Sequence, residues 1–349
     1  MKNFDKIKLK TNSTIKQALG IIDSGAMQIA LVLDKDNKLL GTVTDGDIRR
    51  GLLRGLTLEN SIESIIYKTP TVCTINDSKE DILKIAVEKK LYQIPIVDLE
   101  GVLVGLDEVD DLLKPEEHPN KVVLMVGGLG SRLSPLTDDR PKPLLNVGNK
   151  PILETIITNF AKYGFKNIIL SVNYKSEMIE EYFGDGSAFG TKIEYVRESK
   201  RMGTAGALSL IKNELTKPFF VMNGDLLTNI NFEHMLEYHR TNNSVATMGV
   251  REYDFQVPYG VVNVNDHLIS SIEEKPVQRF FVNAGVYILS SHALKTIPDD
   301  SYFDMPTLFE KLIADKQTAV SFPIREYWLD IGHMSDFEQA NNEYHRVFN

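Results

Sequence analysis

An apolar run followed by a glycine-rich turn constrains the fold of this 349-residue chain more than any other feature. Residues 122–126 are all apolar, which is typical of a strand buried in a parallel sheet. The loop that follows contains the glycines Gly127, Gly128 and Gly130. Their backbone N–H groups can approach an anion because no Cβ stands in the way. The pattern predicts a strand–loop unit of an α/β domain that binds phosphate groups.

Two common phosphate-binding loops do not fit. A Walker P-loop needs a Lys-Ser or Lys-Thr pair directly after its last glycine, and no such pair follows Gly130. A dinucleotide-binding fingerprint needs a third glycine at position 133, which is Leu133. The loop continues instead through Ser131 and Arg132 and closes on Pro-Lys-Pro at residues 141–143.

This segment resembles the signature GGxG[ST]RLxPLT…PKP of the sugar-1-phosphate nucleotidyltransferases. The chain departs from it at Val126, where the family usually has Ala. The resemblance implies that Arg132 and the backbone of residues 127–131 hold the β- and γ-phosphates of a nucleoside triphosphate. It also implies that Lys142 stabilises the α-phosphoryl group.

Length, composition and charge limit the class of protein. A chain of 349 residues predicts two or three domains, and 42% hydrophobic with 25% charged residues is ordinary for a globular protein. The net charge of −9 argues against binding to nucleic acid or to an anionic membrane. One cysteine, Cys73, and a polar N-terminus without a signal peptide favour a cytoplasmic location. There is also no apolar run long enough to span a membrane.

The first 114 residues contain an internal repeat. Residues 33–41 align without gaps to residues 97–105, an offset of 64. Each copy, about 1–60 and 65–114, predicts a helix, a strand, a turn, a strand and a further helix. One copy is too short for a substantial core, so the two copies are expected to pack together.

This repeat resembles a tandem pair of CBS domains, and residues 41–48 carry the likeness. In that family such a Thr and Asp often bind the ribose and phosphate of a nucleotide, which implies this role for Thr44 and Asp47. The second copy has Glu108 at the position of Thr44, and its charge would repel a phosphate. The module therefore either senses a regulatory nucleotide or only packs, dimerises or spaces. Because CBS pairs often dimerise, we expect a homo-oligomer.

The rest of the chain has a different pattern. Residues 115–120 contain two prolines and are predicted to be a linker. From residue 121 to 349, strand patterns alternate with helix patterns, and strands dominate after about residue 245. This alternation predicts a mostly parallel mixed sheet flanked by helices, a Rossmann-like nucleotidyltransferase fold beside the α+β CBS module.

Residues 203–208 match the family's base-binding loop, which implies nucleotide contacts from Gly203, Thr204 and Ala205. The residue five positions before Gly203, which faces the base in the family, is Glu198. A carboxylate only accepts hydrogen bonds, and guanine offers two adjacent donors, whereas uracil and thymine offer one. Glu198 therefore predicts GTP rather than UTP or dTTP, unless the side chain points into solvent.

Two further acids match the magnesium ligands of the family. Asp225 follows the apolar residues 219–222, and Asp330 follows another strand pattern. One or two carboxylates plus substrate phosphates are the usual protein environment of Mg²⁺. Taken singly, an Asp after a strand is more often a helix cap or a turn residue.

The family's contacts to the sugar phosphate match residues in the strand-rich part: Gly260, Glu274, Lys275 and Asn283. The alternative for the charged run at residues 273–275 is a plain surface salt bridge.

These resemblances imply a guanylyltransferase that converts GTP and a sugar 1-phosphate to a GDP-sugar and pyrophosphate. The domain combination resembles CBS-fused enzymes that make GDP-activated amino sugars for legionaminic-acid-type surface glycans, which favours glucosamine 1-phosphate, then mannose 1-phosphate. The alternatives are a UTP- or dTTP-dependent glucose-1-phosphate transferase and a CBS nucleotide sensor with a degenerate second domain.

Overall fold

The computed structural model describes residues 4–25 and 27–348. The chain forms two compact units, an N-terminal unit of residues 1–115 and a C-terminal unit of residues 116–349. Among the described residues, no helix has both the length and the apolar character needed to cross a membrane.

The N-terminal unit contains two copies of one supersecondary structure. The first copy comprises β1 (Lys8–Leu9), α1 (Ile15–Gly25), β2 (Ile29–Leu33), β3 (Leu39–Thr44) and α2 (Asp45–Leu53). The second comprises β4 (Cys73–Thr74), α3 (Lys79–Lys89), β5 (Gln93–Val97), β6 (Leu103–Glu108) and α4 (Val109–Leu112). Helix α3 and strands β5 and β6 have the same bounds as α1, β2 and β3 moved by the 64 residues found in the sequence. Each copy forms a three-stranded sheet with one parallel and one antiparallel pair.

The two copies contact each other through reciprocal backbone hydrogen bonds. The backbone N–H of Leu103 donates to Asn37 O at 3.0 Å, and that of Leu39 donates to Gly101 O at 3.3 Å. Both the donors and the acceptors are 64 positions apart, so the two copies are related by a local two-fold axis. A shared apolar cluster lies between them, formed by Ile7, Ile29, Leu31, Leu33, Val97, Leu103 and Leu106. The copies therefore pack together, as expected for units too small to build separate cores.

The C-terminal unit is an α/β domain. Its strands are β7 (His118–Met125), β8 (Asn146–Val147), β9 (Lys150–Pro151), β10 (Phe165–Val172), β11 (Lys192–Arg197), β12 (Phe219–Asn223), β13 (Leu226–Thr228), β14 (Ala246–Gln256), β15 (Val261–Asn265), β16 (Leu268–Glu273), β17 (Val277–Leu289), β18 (Ala319–Pro323) and β19 (Trp328–Asp330). Its helices are α5 (Ile152–Lys162), α6 (Ser176–Phe183), α7 (Gly203–Gly206), α8 (Phe232–Thr241), α9 (Met305–Ala314) and α10 (Met334–Val347).

Seven strands form the central sheet, in the order β11-β10-β7-β12-β17-β14-β18. The first four are parallel to each other, and β17 is antiparallel to both of its neighbours. Strands β8/β9, β13/β19 and β15/β16 form separate two-stranded sheets. The predicted mixed, mostly parallel sheet is confirmed.

The continuous apolar run in β7 reflects burial on both faces of the sheet. Val122 and Leu124 pack in one core layer with Phe160 of α5. Val123, which points the opposite way, packs in the second layer with Leu308 of α9. A strand covered on both faces has no solvent side on which polar residues could alternate.

The predicted linker at residues 115–120 is wrong in its second half, because residues 118–120 belong to β7. The N–H of His118 donates to Gly164 O at 3.0 Å. Asn120 is buried, and its Nδ2 donates to Pro218 O at 2.6 Å. Two prolines in this stretch suggested a loop, but sheet pairing satisfies the backbone around Pro119.

Candidate nucleotide-binding site

The carboxyl ends of the four parallel strands β7, β10, β11 and β12 meet at one edge of the sheet. Backbone hydrogen bonds between neighbouring segments continue past the ends of the strands. Val126 N donates to Ser171 O, and Gly224 N donates to Met125 O, each at 2.9 Å. Residues that follow these strands therefore lie side by side. In open α/β sheets this edge is where ligands bind.

A cavity of about 490 Å³ lies at this edge. Among its lining residues are ten of the predicted site residues: Gly127, Gly128, Gly130, Ser131, Arg132, Lys142, Glu198, Gly203, Thr204 and Asp225. It is also lined by residues that were not predicted to belong to the site, among them Asn173, Arg201, Met202, Asn223 and Tyr302. The structure thus brings segments from residues 125 to 332 around one space.

The glycine loop is held by its own signature residues. Gly130 has a φ of +66°, a conformation that L-residues rarely adopt. The buried hydroxyl of Thr137 donates to Gly130 O at 3.0 Å. At Gly127, a Cβ would lie 3.0 Å from the Cβ of Asn173, so a side chain there would crowd the cavity wall. The signature therefore encodes both the shape of the loop and the contact that fixes it.

An ion pair between buried Lys142 and half-buried Asp225 lines the cavity. The Nζ of Lys142 lies 2.5 Å from Asp225 Oδ2, and Lys142 is 7% exposed. Lys142 begins a short 3-10 turn directly after Pro141, and Asp225 follows β12. A buried ammonium group requires a partner of opposite charge, and Asp225 supplies it.

Asp330 lies beside Asp225 because strands β13 and β19 pair in antiparallel register. Leu226 pairs with Asp330, and the N–H of Ile331 donates to Asp225 O at 3.1 Å. The carboxyl of Asp330 reaches solvent, but crowding by protein atoms and the adjacent charge of Asp225 raise its pKa. Two carboxylates therefore share one region of negative charge, which Lys142 partly offsets.

The donor set suits a metal ion that also binds substrate oxygens. Within the described ranges, no group of three or more His, Cys, Asp or Glu side chains is arranged to hold a metal. Asp225 and Asp330 provide two carboxylates, and Mg²⁺ is commonly bound by one or two carboxylates together with phosphate oxygens. The residues present therefore fit the predicted ion only when a phosphate ligand completes the site.

Glu198 is fixed at the cavity wall and does not extend into solvent. Its Oε1 accepts a hydrogen bond from the Ser171 hydroxyl at 2.7 Å, and its Oε2 accepts one from Met202 N at 3.3 Å. Each carboxylate oxygen retains capacity for a second hydrogen bond. Ser171 is a buried strand residue, and nothing in the sequence pattern marks it as a partner of Glu198.

The loop at residues 203–206 is held by hydrogen bonds to a segment about a hundred positions later in the sequence. Asp304 Oδ1 accepts from Thr204 N at 2.9 Å, and Met305 N donates to Thr204 Oγ1 at 2.9 Å. Gly203 has a φ of +75°, and a Cβ there would lie 2.6 Å from Asp304 Oδ1. Ala205 is fully buried and is not among the cavity-lining residues, in contrast to its predicted nucleotide contact.

The predicted sugar-phosphate residues are not among those that line the cavity. Gly260 and Glu274 adjoin each other, since a Cβ on Gly260 would lie 3.0 Å from Glu274 Oε2. Lys275 is exposed and has a φ of +47°. Asn283 lies on β17, where its Nδ2 donates to the hydroxyl of Tyr287 at 2.7 Å and its Oδ1 accepts from Gly285 N at 3.0 Å.

In the N-terminal unit, Thr44 and Asp47 form the capping box of α2. Asp47 Oδ2 accepts from the Thr44 hydroxyl at 2.7 Å and from Thr44 N at 2.9 Å, and its Oδ1 accepts from Arg50 at 2.6 Å. Both side chains therefore have a structural role at the start of this helix.

The fold defines an α/β domain with a cavity at the carboxyl ends of its parallel strands, preceded in the sequence by a repeat module. The chain belongs to the nucleotidyl transferase family, whose family model matches residues 121–347. The CBS domain model matches residues 3–54, within the first copy of the repeat.

Curated relatives include the mannose-1-phosphate guanyltransferases of Yarrowia lipolytica, 37% identical over 231 residues, and of Kluyveromyces lactis, 35% identical over 232 residues. Each match covers 62% of this chain and 62% of the relative, so the chain spans about three fifths of the length of these relatives.

Among solved structures, HddC from Yersinia pseudotuberculosis is 28% identical, with a TM-score of 0.52, and the match covers 64% of this chain and 99% of that chain. The same protein complexed with GMP-PN is 27% identical, with equal TM-score and coverage. A putative glucose-1-phosphate thymidylyltransferase from Bacillus anthracis has a TM-score of 0.53, with 64% and 94% of the two chains covered. At 22% identity it supports the fold alone.

Proposed function

We propose that this protein is a sugar-1-phosphate guanylyltransferase, which transfers GMP from GTP to a sugar 1-phosphate and releases pyrophosphate. The observation that carries the proposal is the single cavity in which the glycine loop, the Lys142–Asp225 pair and Glu198 face the same space. Family membership and relatives named as guanyltransferases support it.

The chemistry needs little more than positioning and charge neutralisation. An oxygen of the sugar phosphate forms a bond to the α-phosphorus of GTP, and the bond from that phosphorus to the bridging oxygen of the β-phosphate breaks. The attacking oxygen already carries negative charge, so no strong general base is required. Arg132 and the N–H groups of the glycine loop would hold the leaving pyrophosphate, and Lys142 would stabilise the α-phosphoryl group.

Asp225 and Asp330 are the residues proposed to hold Mg²⁺. When bound, the ion supplies positive charge to the reacting phosphates. Lys142 already contacts one oxygen of Asp225, so it orients this carboxylate while leaving its other oxygen to a ligand. The adjacent negative charges of the two carboxylates give the site its affinity for a cation.

The proposed preference for guanine rests on Glu198. Its oxygens are anchored by Ser171 and by the backbone of Met202, so the carboxylate cannot rotate away from the cavity without losing both hydrogen bonds. A fixed acceptor-only group matches the adjacent N1–H and N2–H₂ donors of guanine. With uracil or thymine, one carboxylate oxygen would face a carbonyl oxygen.

Two sugar 1-phosphates are candidates for the acceptor. Mannose 1-phosphate is the first candidate, because the relatives' names specify it. Glucosamine 1-phosphate is the second, and it rests only on the likeness to CBS-fused enzymes of legionaminic-acid-type pathways. Gly260, Glu274, Lys275 and Asn283 are proposed to form the acceptor side of the site.

The proposal is tested by measuring pyrophosphate release from the full chain with Mg²⁺, each of GTP, UTP, dTTP, CTP and ATP, and a panel of sugar 1-phosphates. We expect GTP to give the highest rate. Lys142→Ala should lower kcat by a factor on the order of 1,000, as loss of a preorganised charge contact does. Lys192→Ala is the matched control, because it removes an exposed lysine paired with Glu194 at 2.7 Å.

Three results would count against parts of this proposal. No pyrophosphate release with any pair of substrates would favour the nucleotide-sensor alternative. A preference for UTP or dTTP would overturn the role of Glu198. Equal activity of Lys142→Ala and Lys192→Ala would remove Lys142 from the reaction.

For the N-terminal unit, we propose that Thr44 and Asp47 contribute to a regulatory nucleotide site. Titration of the full chain and of its Thr44→Ala variant with adenine nucleotides tests this. Nucleotide binding that Thr44→Ala does not weaken, or no binding beyond that of the catalytic cavity, leaves the pair as a helix cap alone.

A further inference from the structure

A long two-stranded projection extends from the central sheet. It consists of the outer halves of β14 and β17 and of the β15–β16 hairpin, and we call residues 251–282 the β arm. The ladder between β14 and β17 ends with Gln256 opposite Val277, and Val257 N donates to Pro276 O at 3.0 Å. Among the described residues 252–281, Pro276 alone is buried. The β arm therefore has almost no contact with a core.

One face of the hairpin is entirely aliphatic. Val262 pairs with Ile272, and Val264 pairs with Ile269, so these four side chains lie on the same face. Each is about half exposed or more, from 46% for Val262 to 65% for Ile269 and Ile272. The opposite face is mainly polar, with Asn263 Nδ2 donating to the hydroxyl of Ser271 at 2.9 Å.

The part of the β arm next to the sheet has the same two-faced character. Tyr253 pairs with Phe280, and Phe255 lies on the same face, with all three rings about half exposed. The other face carries charges, because Arg279 lies 3.3 Å from Asp254 and 3.6 Å from Glu252. Seven exposed apolar side chains of the β arm therefore lie on these two faces, while Phe281, opposite Glu252, is 69% exposed on the charged face.

A two-stranded hairpin alone is at best marginally stable in water, and it needs a further strand or a packing partner on its apolar face. The seven apolar side chains of the two faces present on the order of 700 Å², taking roughly 100 Å² for a half-exposed ring or branched side chain. This area is close to the roughly 800 Å² that each partner contributes to a standard protein interface.

We propose that the apolar faces of the β arm bind the β arm of a second copy of this chain. The exposed area is close to what one copy contributes to a dimer interface, and the charge distribution permits the contact. The chain carries a net charge of −9, so two copies repel each other except where they meet through uncharged surface. All seven side chains are uncharged, and an apolar surface can pack against itself across a two-fold axis. This proposal does not depend on the proposed function.

Sedimentation of the full chain at several concentrations tests the proposal. Ile269→Glu combined with Ile272→Glu places like charges at the interface, and we expect the dissociation constant of the assembly to rise at least tenfold. Ile313→Glu is the matched control, because Ile313 is an isoleucine of equal exposure, 63%, on helix α9 of the same unit. Its assembly should equal that of the unaltered chain.

Cross-linking provides a test that does not require weakening the hairpin. The chain has one cysteine, Cys73, which is buried, so an introduced cysteine reacts with little background. A short bismaleimide should produce a covalent dimer from at least one of Val262→Cys, Val264→Cys, Ile269→Cys and Ile272→Cys, but not from Ile313→Cys.

The proposal is overturned if the unaltered chain is monomeric at all concentrations, which would indicate a different partner for the β arm. It is also overturned if the double Glu variant assembles like Ile313→Glu, or if none of the four hairpin cysteines cross-links. If the copies assemble through the N-terminal unit alone, the double Glu variant will assemble normally and the hairpin cysteines will not cross-link.

Discussion

Replacement of Glu198 by Gln tests how the cavity selects its nucleotide. The two carboxylate oxygens have different partners, the Ser171 hydroxyl at 2.7 Å and Met202 N at 3.3 Å. A Gln amide can keep both contacts in one orientation only. Its oxygen must accept from Met202 N, and its NH₂ group must donate to Ser171 Oγ, because a hydroxyl can accept as well as donate. The substitution therefore preserves the position of the side chain and changes its hydrogen-bonding pattern.

The expected magnitude follows from the change in that pattern. A hydrogen bond to a charged group contributes about 1.5–3 kcal/mol, and Gln removes the charge and turns one acceptor into a donor. Since about 1.4 kcal/mol corresponds to a factor of ten, kcat/KM for GTP should fall roughly 10- to 150-fold. The added donor matches a carbonyl oxygen of uracil or thymine, so kcat/KM for UTP and dTTP should rise or stay level.

The assay is pyrophosphate release under kcat/KM conditions for GTP, UTP and dTTP, with the best sugar 1-phosphate held constant. Ser171→Ala serves as a second variant, since it keeps the carboxylate but removes one anchor; it should weaken GTP use without favouring UTP. An unchanged nucleotide ranking in a folded Glu198→Gln protein would refute the base-reading argument.

Three further predictions concern the C-terminal unit, whose unfolding can be followed by the fluorescence of the chain's one tryptophan, Trp328. Thr137→Val removes the hydrogen bond to Gly130 O, and we expect it to cost about 1 kcal/mol in the free energy of unfolding and to weaken GTP binding, as titration calorimetry would show; unchanged binding would contradict it. Burial, with a smaller contribution from Arg240, lowers the pKa of His239 from 6.5 to about 4. As pH falls from 6.5 towards 4, the unfolded chain takes up a proton that the folded chain does not. Stability should therefore fall by up to about 3 kcal/mol, and the fall should be smaller in His239→Gln; parallel urea midpoints for both proteins from pH 7 to 5 would exclude this. Asp225→Asn should lower kcat at least a hundredfold and raise the Mg²⁺ concentration needed for half-maximal rate, and unchanged Mg²⁺ dependence would exclude it as a ligand.

Periodic patterns predicted most of the regular structure. The apolar spacing of residues 152–163 predicts a helix, which is α5, and the apolar residues within 167–172 predict a strand, which lies within β10. The repeat offset of 64 predicted the second CBS-like copy with the same element bounds. These successes share a cause, because each pattern reports how side chains within a few positions of each other divide between core and solvent.

Local patterns were less reliable where distant segments determine the conformation. The apolar spacing of residues 205–213 predicts one helix, but the chain forms the short α7 followed by a 3-10 helix, Ala207–Glu214, with non-helical φ and ψ at Ile211. The N–H groups of Ala205 and Gly206 both donate to Phe303 O. The conformation at the start of this segment is therefore determined by a residue about a hundred positions later in the sequence. Hydrophobic spacing does not contain that information.

The residues of the candidate site also divide into those that a sequence motif predicts and those that only the tertiary structure reveals. Resemblance to the motifs of the nucleotidyltransferases predicted the glycine loop, Lys142, Glu198, Asp225 and Asp330 as site residues; all but Asp330 line one cavity. Nothing in the sequence indicated Ser171, which donates one hydrogen bond to Glu198, or Asp304, whose Oδ1 accepts from both the N–H and the hydroxyl of Thr204.

The sequence by itself determined two kinds of property: the order of strands and helices, and the set of glycine, basic and acidic residues available to a site. Tertiary structure alone decided which of these meet. Lys142 and Asp225 are 83 positions apart and come together because β7 and β12 are adjacent parallel strands. Tertiary structure also decided that the apolar residues of the β arm are exposed. Alternation in the sequence predicts that a strand has two different faces, but it does not predict whether either face packs against a core.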